Sequence, residues 1–144
     1  MEKVILIGGS NIDYIGTSKE KLIPNVSNVG MVSISFGGVM RNICENLLRL
    51  NNKITFVSAI GSDVLGNKLL NELKELNCKV ICPNTSLPTG TYLAINNNNH
   101  DLNVAICDNR IIEELNMTFL KSIDDEIKKY EFIALDANLS IEAI

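Results

Sequence analysis

No stretch of this 144-residue sequence is apolar over the roughly 20 residues that a bilayer-crossing helix needs. The opening Met1-Glu2-Lys3-Val4-Ile5-Leu6-Ile7 is too short in its apolar part for a signal peptide. A soluble cytoplasmic protein is the default expectation. Positive charge is not in excess either. The formal net charge is -4, which disfavours nucleic acid as a partner because a phosphate backbone selects basic surfaces. No run of like charges suggests an interaction tail. Histidine is scarce: His100 stands in an asparagine-rich stretch, far from Cys44, Cys78, Cys82 and Cys107, and no two cysteines form a Cys-x-x-Cys pair. A zinc site therefore lacks its donors, and the cysteines read as reduced thiols acting as small apolar residues. Internal repeats and a linker between independent domains are also missing, which leaves one modest domain with its own core.

What is present alternates between strand and helix. Val4 to Ile7 reads as a buried strand bounded by Gly8-Gly9-Ser10, and Ile54 to Ile60, Cys78 to Cys82 and Phe132 to Leu135 read as further strands. Ile43, Leu47 and Leu50, widened by Cys44 and Leu48, predict an amphipathic helix that Asn51-Asn52 ends, with Arg41 and Glu45 on its polar side. Asp63 is a natural N-cap for a second helix from about Val64 to Leu76. A third is expected within Met117 to Lys129, with Thr118 as its cap. Short apolar strands alternating with helices predict an α/β domain on a mainly parallel sheet, Rossmann-like and flanked by helices. Segments near 13–17, 29–36, 90–96 and 102–107 alternate instead. They should form a separate small sheet laid over one end as a lid, the last two as a hairpin through Asn96–Asp101. Ser140 followed by Ile141-Glu142-Ala143-Ile144 makes one helical turn, too short to stand alone. The last strand also needs a cover for its apolar face. Both point to the front part of a longer protein, incomplete at its C-terminus.

Phe36-Gly37-Gly38, set before the first helix, admits several readings. A dinucleotide fingerprint needs Gly-x-Gly-x-x-Gly, and neither Gly37-Gly38 nor Gly8-Gly9 has that spacing. A phosphate-binding Gly-x-x-x-x-Gly-Lys-Ser/Thr loop is absent. A plain strand-to-helix turn is one remaining explanation. The other is a cradle for a polyhydroxylated ligand. Glycine lets the ligand touch main chain, Asn42 one turn into the helix offers a donor and an acceptor at once, and the helix start favours oxygen ligands. Asp13 follows the first strand and should project from its carboxyl end, where open α/β sheets bind ligands. A turn-capping role for Asp13 stays open beside that of a carboxylate accepting two hydroxyl hydrogens.

Four segments then occur in a telling order: Gly8-Gly9-Ser10-Asn11-Ile12-Asp13, Phe36-Gly37-Gly38-x-x-Arg41-Asn42, Ser58-Ala59-Ile60-Gly61-Ser62-Asp63-x-x-Gly66 and Thr89-Gly90-Thr91-Tyr92. Together they resemble the front half of a ribokinase-family (phosphofructokinase-B type) sugar or nucleoside kinase, over essentially the whole chain. Within that family, Gly37-Gly38-Val39-x-Arg41-Asn42, Thr89-Gly90-Thr91-Tyr92-Leu93-Ala94 and Leu135-Asp136-Ala137-Asn138-Leu139 most resemble the pseudouridine kinases.

The resemblance implies that Asn11 and Asp13 hold sugar hydroxyls. It also implies that Gly37, Gly38 and Asn42 line the same site, and that Asn138 approaches it from the last strand. Alternation lets either Thr91 and Leu93 or Tyr92 and Ala94 face the ligand, and the resemblance favours Tyr92. The family's glycine-alanine-glycine-aspartate motif, which supplies the anion hole and the base aspartate, has no match here; Gly61-Ser62-Asp63 is an earlier element. No catalytic residue is therefore expected in this chain, and ATP and Mg²⁺ would be bound mainly by a later half. The function implied is ATP-dependent phosphorylation of the 5′-hydroxyl of a ribosyl compound, pseudouridine above others, by an enzyme whose 144-residue front part is inactive alone. Another sugar or nucleoside kinase, and a non-catalytic sugar-binding or dimerisation module, are the rivals. Unpaired lid edges suggest a homodimer.

Overall fold

The computed structural model describes residues 4–144. Met1, Glu2 and Lys3, which open the expected single domain 1–144, lie outside the described residues. The strands divide between two sheets. The first is all parallel, in the order β5 (Lys79–Ile81), β4 (Ile54–Val57), β1 (Val4–Ile7) and β8 (Phe132–Leu135). Side chains alternate along these strands, so Leu6, Ile54 and Phe56 point to one face and Ile5, Ile7 and Val57 to the other. Helices α1 (Val39–Arg49) and α2 (Val64–Glu75) cover the first face with Met40, Cys44, Leu48, Leu69 and Leu73. A 3₁₀ turn (Arg110–Glu114) and two short helices, α3 (Met117–Ser122) and α4 (Asp124–Ile127), cover the second, burying Ile111, Leu115 and Leu120. The expected α/β architecture is present, with a helical layer on each face.

The second sheet is mixed, in the order β3 (Gly30–Gly37), β2 (Asn11–Ser18), β6 (Gly90–Asn96) and β7 (Leu102–Asp108). β2 runs antiparallel to β3 and parallel to β6, and β6 and β7 form the hairpin. Its root packs on the main core: Ile12 is buried and Tyr14 and Phe36 lean on the core beneath α1. Farther out on the same face, Ile34, Tyr14, Leu93 and Ile106 stand side by side across four strands. Most of that row is open to solvent.

Local sequence explains several boundaries. The Asp63 carboxylate caps α2 by accepting from Gly66 N at 2.8 Å. Asn51 (φ 61°) and Asn77 (φ 60°) take the left-handed conformation that ends α1 and α2. Asn52 N then donates to Leu47 O at 3.1 Å and Asn51 N to Leu48 O at 2.9 Å, which satisfies the last carbonyls of α1.

Other expectations need correction. The buried stripe of α1 is Met40, Cys44 and Leu48, whereas Ile43 and Leu50 are exposed. Arg41, expected on the polar side, is buried although it pairs with Glu45. The strand after α1 stops at Val57 rather than Ile60. The third helix is broken in two at Ile123 (φ −113°) and is capped by Asn116, not Thr118. Ser122 Oγ bonds back to Phe119 O at 2.6 Å, and Asp124, Asp125 and Glu126 suit a new helix start. β8 is not buried: Phe132 and Ile133 are half exposed, because β8 has β1 as its sole strand neighbour among the described residues.

Candidate active site

β1 passes into β2 through three residues, Gly8-Gly9-Ser10, so the carboxyl end of the central parallel strand is also the root of the second sheet. Ser10 Oγ and Ser58 Oγ are 2.8 Å apart and buried, fastening this junction to the end of β4. The second sheet's register then sets the chemistry. Asp13 lies opposite Ser35 on β3 and Tyr92 on β6, and Tyr92 lies opposite Cys107 on β7. A carboxylate and a phenol therefore share one face, side by side on the two central strands.

A pocket of about 430 Å³ opens between that face, the start of α1 and the end of β8. Asn11, Asp13, Gly38, Asn42, Tyr92 and Asn138 line it. The structure thus gathers six of the seven residues singled out in the sequence. Gly37 is the exception: it is buried, and a Cβ there would land on the Asp13 carboxylate. Its missing side chain makes room for Asp13, not for a ligand. Gly38 differs. Its φ of 102° is a conformation that other residues rarely adopt, and a Cβ would meet Gly9 O at 2.6 Å. Gly38 caps α1 without any side-chain hydrogen bond, and no acidic residue stands in the first turn. The first amides of α1 are left for an oxygen ligand beside Gly38 and Val39.

Asn11 Nδ2 donates to Asp13 Oδ1, which holds the carboxylate in place. Burial pushes the Asp13 carboxyl above the ordinary range, outweighing the Asn11 hydrogen bond and the charge of Arg41, both of which lower it. The carboxylate gains most from hydroxyl hydrogens that restore the hydrogen bonds water would give it.

Sequence reasoning missed part of the wall. Asp136, buried at the end of β8, lines the pocket and accepts from Gly9 N at 3.2 Å and from Asn138 N at 3.0 Å. Its position at the carboxyl end of a parallel strand was the available signal. Cys107 and Asn109 close the side below β7. Among the described residues no three His, Cys, Asp or Glu side chains gather to hold a metal ion, and no helix is long and apolar enough to cross a membrane.

A family model described as pfkB family carbohydrate kinase matches residues 1–143. This chain belongs to that family. The pfkB chain is 36% identical over 145 residues to the pseudouridine kinase of Escherichia coli (strain K12), covering 98% of this chain and 46% of that one. It is 30% identical over 149 residues to the guanosine-inosine kinase of Exiguobacterium acetylicum, covering 100% of this chain and 48% of that enzyme. Among solved structures it superposes on a carbohydrate kinase from Agrobacterium tumefaciens with a TM-score of 0.86 and 26% identity, over 96% of this chain and 46% of that chain. The chain thus spans slightly under half the length of these relatives. As a pfkB member it is related to kinases of sugars and nucleosides, and its pocket lies where the parallel strands end.

Proposed function

We propose that this chain is the N-terminal part of one ribokinase-like kinase domain and supplies its acceptor side. The reaction is ATP-dependent phosphorylation of the 5′-hydroxyl of a ribosyl compound, with pseudouridine the preferred acceptor. One observation carries the reading: Asn11, Asp13, Asn42, Tyr92 and Asn138, with the bare main chain at Gly38, surround one pocket of sugar-binding chemistry. The 36% identity to a pseudouridine kinase supports the choice of acceptor. Asp13 takes the hydrogens of two ribose hydroxyls, with Asn11 holding the carboxylate. Tyr92 lays its ring against the bound molecule, and Asn138 reaches it from β8. The second sheet acts as a lid that keeps water from the reacting groups. Gly37 contributes by giving Asp13 its space.

ATP supplies the phosphoryl group in this reading, with Mg²⁺ neutralising its charge. The residues present do not fit either group: no phosphate loop occurs in the sequence and no metal-holding cluster stands among the described residues. In this reading the nucleotide side and the base aspartate belong to the part of the relatives' length that this chain does not span. The open row of Ile34, Leu93 and Ile106 supports a homodimer that packs lid against lid, and the setting is cytoplasmic.

Calorimetric titration with pseudouridine, uridine, ribose, guanosine and inosine tests the acceptor. Pseudouridine is expected to bind most tightly; preference for a purine nucleoside or for free ribose would move the assignment elsewhere in the family. With ATP, Mg²⁺ and pseudouridine the 144-residue chain alone is expected to show no phosphate transfer. Measurable turnover would refute the placement of the phosphoryl machinery outside it.

A further inference from the structure

Arg41 is a poor choice for stability alone. It is buried, its Nε has no hydrogen-bond partner, and a buried guanidinium with an unmatched donor burdens the fold. Its other contacts are directed. The guanidinium carbon lies 5.9 Å from the centroid of the Phe36 ring, and Nη2 pairs with Glu45 Oε2 at 2.6 Å, itself paired with Arg49. Nη1 donates to Phe36 O at 3.2 Å and to Asn42 Oδ1 at 3.1 Å. This one nitrogen ties the end of β3 to the first turn of α1.

An arginine can only donate, so the Asn42 atom it holds must be the carbonyl oxygen. That fixes which end of the Asn42 side chain faces Arg41 and leaves its amide N–H groups without a partner among the described residues. Asn11 is set the opposite way. Its Nδ2 donates to Asp13, and its Oδ1, which lies 3.1 Å from where a Gly38 Cβ would stand, has no donor among the described residues. The two asparagines thus present opposite polarity, one fixed by a carboxylate and one by a guanidinium.

We infer that Arg41 is a positioning residue that fixes Asn42 as a hydrogen-bond donor. At that corner the pocket selects a ligand oxygen offering a lone pair, while hydroxyl hydrogens are taken at Asp13 and Asn11. The inference rests on the ribosyl-binding reading and adds which polarity each corner demands.

A double-mutant cycle on the 144-residue chain tests it, with dissociation constants for ribose and pseudouridine from NMR titration and folding checked by circular dichroism. Arg41→Ala is expected to weaken binding about tenfold in the native background but less than about twofold when Asn42→Ala is already present. Arg41→Lys, which keeps one donor, is expected to restore most of the loss. Asn42→Asp, which offers acceptors only, is expected to bind at least about tenfold more weakly despite its charge match with Arg41.

Equal losses for Arg41→Ala in both backgrounds would mean a structural effect and overturn the inference. So would native-like binding by Asn42→Asp, which serves as the test should Arg41→Ala fail to fold. A folded native chain that binds neither ribosyl probe would overturn the functional reading and the inference with it. Additive losses with intact native binding would overturn the inference alone.

Discussion

In the parallel sheet Ile5, Phe56 and Val57 are wholly excluded from solvent beneath helical layers on both faces. In the second sheet Val32, Ile34 and Ile106 are 74%, 54% and 66% exposed. The first sheet draws its stability from burial; the second is held by ladder hydrogen bonds, a packed root and a few polar ties. The pocket lies where they meet and uses both. β1 and β8 end at it, and β2 and β6 supply Asn11, Asp13 and Tyr92 to its wall. A well-buried half and a weakly packed half sharing one site suits the lid role proposed for the second sheet.

The comparison can be broken most forcefully in the parallel sheet. Phe56→Ala should cost about 3–5 kcal/mol of folding stability by leaving a cavity under α1 and α2. Urea unfolding that gave a loss below about 1 kcal/mol would show that this layer is not the main source of stability. Next in size is Asp13→Ala. Because Asp13 is only partly buried, the melting temperature should hardly change, while ligand affinity falls by about 2–3 kcal/mol, near a hundredfold. Native affinity should also decline as pH drops through the Asp13 value, which burial raises above the ordinary range. Calorimetry at several pH values reads this, and a pH-independent affinity would count against Asp13 as the anchor.

Smaller again is the tie between the sheets at Asp63. Oδ1 caps α2 at Gly66, and Oδ2 accepts from both the Thr89 N–H and the Thr89 hydroxyl at 2.7 Å, which pins the foot of β6. Burial pushes this carboxyl up, but the hydrogen bonds from Thr89 and Gly66 outweigh it and hold the value below the ordinary range. The folded value lies under the unfolded one, so the stabilisation is complete above about pH 4 and is lost as pH falls through the folded value. Asp63→Ala should cost about 2 kcal/mol and flatten that acid dependence in thermal melts. An unchanged pH profile would show that the tie carries nothing. The smallest folding effect is expected at Ile106→Ser, within about 0.5 kcal/mol because the side chain faces solvent. The proposed lid-to-lid association should respond far more strongly in sedimentation, and identical association of the variant would remove that proposal.

The fold was legible where short-range chemistry decides it. Asn51 ended a helix, Asp63 began one, and the Asn96–Asp101 tip closed a hairpin. Periodicity failed where tertiary contacts override it. Ile43 and Leu50 fit a helical stripe, yet α1 turns its Met40 and Cys44 face inward, and the break at Ile123 follows from a hydroxyl back-bond and an acidic restart. In the site, side chains following strands could be anticipated. Asp136, directly after β8, carried that same signal, whereas Cys107 and Asn109 could not be placed from local pattern, because they reach the pocket through pairing of β7 with β6. Nor could the approach of the Cys44 and Cys78 sulfurs to 3.6 Å, between α1 and the segment before β5, be read from the sequence.

NMR titration of the native 144-residue chain with pseudouridine tests most directly whether one shared pocket between two unlike sheets takes the ligand. The amides of Asn11, Asp13, Gly38, Asn42 and Tyr92 should shift together along one saturation curve, and Asp13→Ala should abolish the response. Saturable shifts confined to the far end of the second sheet, around Lys19 and His100, or no shifts at all, would contradict it.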